Sequence, residues 1–218
     1  AMHEKEIKQD IAVVIENSYF YDDLKAKDVA KVMRKVYKNW DDARFRAYLD
    51  EFRLPQDKKI KEFSKGMRMK MSLATALSHR PKLLILDEPT SGLDPIVRNE
   101  ILDVFLEFIQ DEEHGILFSS HITTDLEKIA DYIVFIHNGE IIFNKSKDEL
   151  VYEYGVMKCG AGELGGIDAA DYVGVRKNAF GCALLVPNRR AAQRKYPHLL
   201  IEPASIEDIM LFHVRRDA

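Results

Sequence analysis

The chain has 218 residues, of which 46% are hydrophobic and 31% are charged, and its formal net charge is −4. This length fits one globular domain, alone or with a small accessory region, and the hydrophobic fraction can build a sizeable core. The acidic balance argues against nucleic-acid binding, and no apolar run approaches the roughly 20 residues of a membrane helix. The cysteines Cys159 and Cys182 lack metal-ligand spacing, which indicates a reducing cytosol.

The first quarter of the chain predicts a strand followed by two helices. Residues 11–15 (IAVVI) are a continuous apolar run, which is typical of a buried strand. Between residues 26 and 53 apolar residues recur at helical spacing in two runs, so we expect two amphipathic helices with charged outer faces. Pro55 marks the end of the second helix.

The next segment predicts helix, strand and helix in close succession. Ser64 is a suitable N-cap for a helix that runs to about residue 79, before Pro81. Residues 83–86 are too apolar to face water on either side, which favours a strand in a parallel sheet covered by helices on both faces. Asp94 then caps another helix, with Pro95 at its first position.

The remaining elements are shorter. Residues 116–118 predict a strand before Ser119-Ser120-His121, Thr124 is expected to cap a helix that runs to about residue 130, and residues 133–143 read as a hairpin. After about residue 150 we expect short strands and two helices, the second of which begins with a capping box at Ser205. These strands cover residues 156–158, 172–176 and 182–186, and these helices cover residues 189–195 and 206–214.

Asp87 and Glu88 directly follow the predicted strand at residues 83–86. Carboxylates at the carboxyl end of a strand lie where open α/β sheets bind ligands. Asp87 suits Mg²⁺, which takes a few carboxylate contacts beside substrate phosphates. Glu88 is placed to orient or deprotonate a water that attacks a terminal phosphate. The alternative is an ordinary exit from a strand into a turn.

Three further polar positions have both a plain and a functional interpretation. Ser64-Lys65-Gly66 opens a helix whose free N–H groups favour an anion, or Ser64 is only a cap. For Asp94, capping of the next helix is a sufficient explanation, and a functional role is compatible with it. His121 lies in a polar loop after a strand, where many histidines have no special role.

The motif order resembles that of ABC-type ATPases. The stretch 62–95 is similar to the family's segment from signature loop through Walker B strand to D-loop. The family's signature is Leu-Ser-Gly-Gly-Gln, whereas this chain has Phe-Ser-Lys-Gly-Met. The resemblance implies that Ser64 and Gly66 contact the terminal phosphate of ATP held by a second subunit. Lys65 would add positive charge there or point to solvent.

The same resemblance extends to both sides of this stretch. Residues 91–94 resemble the D-loop at the dimer interface, and His121 resembles the switch histidine that contacts the terminal phosphate. Glu16 stands where the family's Q-loop carries glutamine, which adds a negative charge beside Mg²⁺. Tyr19, Phe20 and Tyr21 would then lie near the groove that receives a membrane partner, or simply pack the helical subdomain.

The resemblance implies a fold, a domain division and a set of site residues. The fold is α/β with a P-loop NTPase-like (RecA-like) parallel sheet at residues 1–144, a helical insert at about 22–78, and a small α+β accessory region at 145–218. The expected ligands are ATP and Mg²⁺. We assign catalysis to Glu88 and His121, the metal to Asp87, and nucleotide contacts to Ser64, Lys65, Gly66, Asp94 and Glu16.

One motif of the family is missing from the sequence. No glycine is followed by lysine, so the phosphate loop G-x-x-x-x-G-K-[ST] is absent. In the family this loop joins a helix to a central strand that neighbours the strand before His121. We therefore expect a fold that is incomplete at its N-terminus through truncation, with weak nucleotide binding, no turnover by this chain alone, and strand exchange, dimerisation or local disorder near that strand. An in-frame Gly-Lys-Ser/Thr loop encoded upstream of Met2 would establish the truncation.

The favoured function is the ATP-binding and ATP-hydrolysing subunit of an ABC transporter, which couples Mg-ATP hydrolysis to transmembrane transport. The expected partners are a membrane-spanning transporter subunit and a second, identical or different, ATP-binding subunit, with no nucleic acid. The expected location is cytoplasmic and peripheral on the membrane, and residues 205–214 resemble the tails of bacterial drug or peptide-antibiotic exporters. The alternatives are a soluble ABC-type ATPase of translation or DNA repair, whose tandem cassettes or coiled-coil insertions do not appear here, and a non-catalytic regulatory module.

Overall fold

The computed structural model describes residues 7–15, 20–178 and 181–214. The chain divides into two compact units, one that ends at Ile122 and one that begins at Thr123. This division lies earlier along the chain than residue 144, where the sequence predicts the end of the ATPase domain. The boundary between that domain and an accessory region stays a prediction. None of the described helices is long and apolar enough to cross a membrane.

The first unit is built on a parallel sheet of three strands, which confirms the predicted α/β class. The strands are β1 (Ile11–Val14), β2 (Leu83–Asp87) and β3 (Gly115–Ser119), in the order β1-β2-β3. The helices are α1 (Ala26–Val36), α2 (Asp42–Glu51), α3 (Lys65–Leu77) and α4 (Pro95–Phe108). In a parallel sheet all the carboxyl ends lie at one edge, so β2 and β3 deliver the residues that follow them to the same place.

Helix α3 is the central helix of this unit. It contacts α1, α2, α4 and β1, and Met71, Leu73 and Ala74 on it are fully buried. Its first turn is closed as predicted, because Ser64 Oγ accepts a hydrogen bond from the Met67 N–H at 3.2 Å. The core therefore fixes the position of the loop at residues 64–66.

The two helices predicted between residues 26 and 53 are confirmed as α1 and α2. The Asp41 carboxylate caps α2 by accepting hydrogen bonds from the N–H groups of Ala43 and Arg44, each at 3.0 Å. The helix ends at Glu51, and Arg53 follows in the left-handed region with φ of 54°. The chain thus leaves the helix before Pro55, as the sequence indicated.

The sheet of the first unit is covered differently on its two faces. Leu84 and Leu86 of β2 are buried on the face toward the helices. On the opposite face Val13, Ile85 and Leu117 stand in register across the strands, and Val13 and Leu117 are 59% and 64% exposed. The predicted burial of residues 83–86 on both faces is therefore confirmed only for the face of Leu84 and Leu86, because Leu83 and Ile85 on the second face are partly buried. In that same part, β3 pairs with β2 alone.

The second unit begins with a helix, a hairpin and another helix. They are α5 (Thr123–Ile129), the antiparallel pair β4 (Tyr132–His137) and β5 (Glu140–Ser146), and α6 (Lys147–Glu153). The hairpin prediction is confirmed, and Asn138 and Gly139 turn it with φ of 49° and 80°. The capping role predicted for Thr124 is wrong. The helix already includes Thr123, so Thr124 lies in its first turn, a shift of the size at which helix ends commonly vary.

A four-stranded antiparallel sheet follows, in the order β7-β8-β6-β9. The strands are β6 (Gly155–Cys159), β7 (Gly174–Asn178), β8 (Gly181–Val186) and β9 (Leu200–Pro203). Helix α7 (Arg189–Lys195) lies between β8 and β9 in the chain, and α8 (Ile206–Val214) follows β9. Strand β7 starts two residues later than the predicted 172–176, and α6 and β9 were not predicted. Alternate residues of β8 enter different apolar clusters, with Leu185 in one and Leu184 in the other. Both faces of this sheet are therefore covered.

Candidate functional site

Asp87 and Glu88 meet β3 through the Ser119 side chain. Asp87 is the last residue of β2 and is in register with Ser119, the last residue of β3. The Ser119 hydroxyl donates to Asp87 Oδ1 at 2.7 Å and accepts from the Glu88 backbone N–H at 3.0 Å. The ends of the two strands are thus tied together where open α/β sheets bind ligands.

His121 reaches the same cluster from the loop after β3. Its Nδ1 lies 2.7 Å from the Glu88 carboxylate oxygen Oε2. The His121 side chain is 67% exposed and that of Glu88 is 26% exposed, so the pair stands open to solvent. The structure therefore brings together Asp87, Glu88 and His121, the residues assigned to the metal and to catalysis.

Glu88 also has an unusual backbone conformation. Its φ is 47°, in the left-handed region that residues other than glycine seldom occupy. Its carbonyl accepts a hydrogen bond from the Ser91 N–H at 3.2 Å, which closes the turn that follows. Residues held in such conformations cost free energy and are concentrated at functional sites. Glu88 is an observed outlier of this kind.

The Ser-Lys-Gly loop lies against the loop that resembles the D-loop. A Cβ on Gly66 would stand 3.0 Å from a methyl group of Val97, so α3 and α4 approach closely at their N-termini. A Cβ on Gly92 would stand 2.9 Å from the Lys65 ammonium nitrogen. The exposed Lys65 side chain thus extends over Gly92, between the two predicted contact loops of this unit.

Asp94 is confirmed as a helix cap. Its Oδ1 accepts hydrogen bonds from the N–H groups of Ile96 and Val97, both at 3.1 Å, and Pro95 occupies the first helical position. Ser64 and Asp94 therefore both satisfy helix N-termini. A nucleotide contact by either residue stays a prediction.

The donor set around Asp87 fits a magnesium ion that accompanies a nucleotide. Within the described residues no group of three or more histidine, cysteine or acidic side chains could enclose a metal. Asp87 is exposed and Ser119 engages its Oδ1, so within the described part of the chain Oδ2 is available to a ligand. Mg²⁺ commonly takes one or two carboxylate oxygens and completes its shell with waters and phosphate oxygens.

Glu16 and Tyr19 lie outside the described residues, but the neighbouring Phe20 lines a cavity. This cavity has a volume of about 210 Å³ between the end of β1, α1 and α3. His79 also lines it, only 1% exposed, with its ring stacked on Tyr37 at 3.8 Å between centroids. Burial lowers the pKa of His79, and the backbone carbonyls of Ile11 and Thr75 offset this in part, although neither reaches hydrogen-bonding geometry.

Two residues of these sites are not evident from the sequence. Ser119 reads only as part of the exit from a strand, although a polar residue at the end of a strand beside β2 is a signal for it. His79 reads only as the end of a helix. Its stacking on Tyr37 joins distant parts of the chain, and no local pattern indicates it.

Comparisons with known proteins agree with this geometry. Residues 2–91 match the family model described as ABC transporter. An ABC transporter ATP-binding protein of Bacillus subtilis, YtrB, is 29% identical over 68% of this chain and 51% of its own length. The lantibiotic transport ATP-binding protein SrtF of Streptococcus pyogenes is 39% identical over 63% of this chain and 60% of its own length.

A solved structure described as the ATP binding subunit of an ABC transporter has a TM-score of 0.57 and 27% identity, over 67% of this chain and 63% of that one. This likeness confirms the P-loop NTPase-like α/β fold. The chain spans about half the length of the curated relatives it matches. The family model, the relatives and the fold lead to one conclusion: residues 2–91 match the ABC transporter family model, and the chain resembles ABC transporter ATP-binding subunits in sequence and in fold.

Proposed function

We propose that this chain supplies the catalytic carboxylate and the switch histidine of an ABC transporter ATP-binding subunit, which hydrolyses Mg-ATP to drive transmembrane transport. The observation that supports this most directly is the cluster of Asp87, Glu88 and His121 at the carboxyl edge of a parallel sheet. Ser119 links Asp87 to the Glu88 backbone, and His121 contacts the Glu88 carboxylate, at distances of 2.7 to 3.0 Å. Hydrolysis of a nucleotide phosphate commonly uses a metal ion and a residue that positions or deprotonates the attacking water, and this cluster offers candidates for both roles.

Each residue of the cluster has one role in this proposal. Asp87 would hold Mg²⁺, and the ion would supply positive charge that neutralises the phosphates. Glu88 orients a water and accepts its proton as the water oxygen attacks the terminal phosphorus. The bond from that phosphorus to the bridging oxygen breaks, and ADP and phosphate leave. His121 holds the Glu88 carboxylate at 2.7 Å and faces the terminal phosphate.

The Ser64–Gly66 loop serves a different nucleotide. At the N-terminus of α3, free backbone N–H groups and the helix dipole favour an anion. Lys65 adds positive charge there and extends over Gly92. We propose that this surface, together with Asp94, closes over ATP held by a second ATP-binding subunit, which is either identical or different.

The membrane-spanning partner docks at the helical insert in this proposal. The cavity between β1 and α1 is lined by the apolar side chains of Phe20 and Met33. Beside it on α1, Val32 and Val36 are 49% and 54% exposed. Exposed apolar side chains that flank a groove are typical of a surface that receives a partner helix. The complex would lie at the cytoplasmic face of the membrane.

The chain on its own is proposed to bind ATP weakly and not to turn it over. Its sequence contains no Gly-Lys pair, so it offers no phosphate loop to hold the β- and γ-phosphates. Among the described strands β3 pairs only with β2, and the face that carries Val13 and Leu117 is exposed, which is consistent with a further strand beside β3 and a helix on this face. A phosphate-loop segment that packs on this face would complete the site.

A chimera tests this proposal. The strand–phosphate loop–helix segment of an active ABC ATP-binding subunit is placed ahead of Met2, and steady-state ATP hydrolysis is measured for the chimera and for the 218-residue chain. We expect magnesium-dependent hydrolysis by the chimera alone. A folded chimera that binds ATP without hydrolysing it would contradict the proposed function. Hydrolysis by the 218-residue chain that Glu88→Gln abolishes would contradict its proposed inactivity.

A further inference from the structure

The Ser119 hydroxyl bridges the side chain of one proposed site residue and the backbone of the next. It donates to Asp87 Oδ1 at 2.7 Å and accepts from the Glu88 N–H at 3.0 Å. A serine hydroxyl has a single proton, and here that proton is directed at a carboxylate. A hydrogen bond to a charged acceptor is stronger than one between neutral groups, so this bridge is well defined.

The bridge restrains the Asp87 side chain on one side. With Oδ1 bound to Ser119, the carboxylate cannot rotate about its bonds without breaking a short hydrogen bond. The other oxygen, Oδ2, then keeps a restrained position on this exposed side chain. A carboxylate that must bind a metal through one defined oxygen gains from such a partner, and the loss of partners of this type weakens metal binding.

The bridge also holds the backbone of Glu88. The φ of Glu88 is 47°, a conformation that costs free energy in a residue other than glycine. Two hydrogen bonds stabilise this conformation. The Glu88 N–H donates to the Ser119 hydroxyl, and the Glu88 carbonyl accepts from the Ser91 N–H. The Glu88 side chain is thereby directed toward His121.

We infer that Ser119 is a positioning residue that fixes the Asp87 carboxylate for the metal and the Glu88 backbone for water activation. The inference rests on the proposed function for the roles of Asp87 and Glu88, and on the hydrogen bonds alone for the bridge itself. Ser119 touches neither the nucleotide nor the reacting atoms in this account. Its effect passes through the two neighbours that it orients.

The next residue provides a matched control. Ser120 carries the same hydroxyl one position later, and its Oγ accepts from the Ile122 N–H at 3.0 Å. Ser120→Ala therefore removes a hydroxyl from the same loop without touching Asp87 or Glu88. Ser119→Ala removes the bridge, and Ser119→Thr keeps a hydroxyl at the same position.

The first measurement needs no ligand. The 218-residue chain is isotope-labelled, and NMR coupling constants of the Asp87 side chain report whether it occupies one rotamer. We expect one rotamer in the unchanged chain, averaging over several in Ser119→Ala, and one rotamer again in Ser119→Thr and Ser120→Ala. A single unchanged Asp87 rotamer in Ser119→Ala would overturn the inference.

The second measurement uses Mn²⁺ alone, added at millimolar concentrations while the broadening of the Glu88 amide signal is followed. Loss of a residue that orients a metal ligand commonly weakens metal binding by roughly tenfold or more. We therefore expect Ser119→Ala to bind Mn²⁺ roughly tenfold or more weakly than the unchanged chain. Ser119→Thr and Ser120→Ala should bind Mn²⁺ as the unchanged chain does. Equal binding by Ser119→Ala, or equal weakening by Ser120→Ala, would contradict the inference.

The two measurements separate the inference from the proposed function. The metal role proposed for Asp87 would be contradicted if Mn²⁺ did not broaden the Glu88 amide signal of the unchanged chain. It would also be contradicted if Mn²⁺ broadened this signal equally in Asp87→Asn. The Asp87 rotamer in Ser119→Ala would still decide whether Ser119 positions this side chain. Restoration by threonine distinguishes the lost hydroxyl from a general loosening of the loop.

Discussion

The Nδ1 atom of His121 lies 2.7 Å from the Glu88 carboxylate, at the carboxyl edge of the parallel sheet. His121 comes from the loop after β3, and Glu88 follows β2, so the sheet itself creates this contact. Glu88, the proposed general base, is thereby held at two points. Ser119 accepts a hydrogen bond from its backbone N–H, and His121 contacts its carboxylate.

Replacement of His121 should slow hydrolysis without preventing nucleotide binding. In the chimera, His121→Ala leaves the Glu88 side chain free to turn, and a misplaced base commonly costs about 10²-fold in rate. The rate constant kcat should therefore fall by about that factor, measured at saturating ATP. His198→Ala is the control, because His198 is exposed and lies in the second unit. Equal loss in both variants would contradict the role of His121.

Ser64 allows capping and phosphate contact to be separated. Ser64→Ala should lower the free energy of unfolding of the first unit by about 1 kcal/mol, because the Met67 N–H loses its partner. Ser64→Asp should keep the cap, since aspartate is an equally good N-cap. Urea unfolding followed by the fluorescence of Trp40, the single tryptophan, measures this difference.

The same aspartate tests the second function proposed for Ser64. A carboxylate at position 64 would face the phosphate of ATP held by the second subunit and repel it. We expect the Glu88→Gln chimera to dimerise when ATP is added and the added Ser64→Asp change to prevent this, as measured by light scattering. ATP-dependent dimerisation that survives Ser64→Asp would sink the proposed contact and leave Ser64 as a cap.

His79 should make the first unit less stable in mild acid. Burial lowers its pKa in the folded state below the ordinary value of 6.5, while nearby Asp10 and two backbone carbonyls offset this only in part. As pH falls below 6.5, the unfolded chain therefore binds a proton that the folded chain does not, and the free energy of unfolding decreases toward the lowered pKa.

Replacement of the imidazole tests this pH dependence. His79→Phe keeps a ring against Tyr37 and should flatten the decrease, whereas Tyr37→Phe keeps both the stacking and the imidazole and should not. Urea unfolding at a series of pH values, followed by Trp40 fluorescence, measures both variants. A decrease that is unchanged in His79→Phe would show that other groups cause it.

The cysteines report on the second unit. Cys159 and Cys182 face each other across β6 and β8 and are 8% and 6% exposed. Burial raises the pKa of the Cys159 thiol, which lowers the fraction of reactive thiolate. A thiol reagent should react roughly 10²-fold or more slowly in buffer than in urea, because access requires opening of the sheet. In Cys182→Ala the reaction rate of Cys159 is measured separately. Equal reaction rates in buffer and in urea would contradict the described packing.

The parts of the fold that depend on local chemistry could be predicted from the sequence. Ser64 and Asp94 were identified as caps because the capping residue precedes its helix directly, and both are confirmed. The meeting of Asp87 with the loop after β3 was also predictable, since parallel strands end at one edge. The capping box at Ser205 is confirmed as well, with Asp208 as its partner.

The parts that depend on tertiary contacts could not be predicted. The apolar run at residues 83–86 cannot tell whether helices cover one face of the sheet or both. The bridge by Ser119 depends on its register with Asp87, and the burial of His79 depends on a stacking partner in another helical segment. Helix α6 was missed although Ser146 caps it and Asp148 and Glu149 suit its first turn.

The role of Glu88 is tested by the kcat for ATP hydrolysis by the chimera with and without Glu88→Gln. Loss of a positioned general base should lower kcat by roughly 10²-fold or more, with ATP binding retained. Glu113→Gln is the matched control, because that exposed glutamate pairs with Lys82 and lies outside the cluster. A kcat that Glu88→Gln leaves unchanged, or lowers no more than Glu113→Gln does, would contradict the assignment of this site.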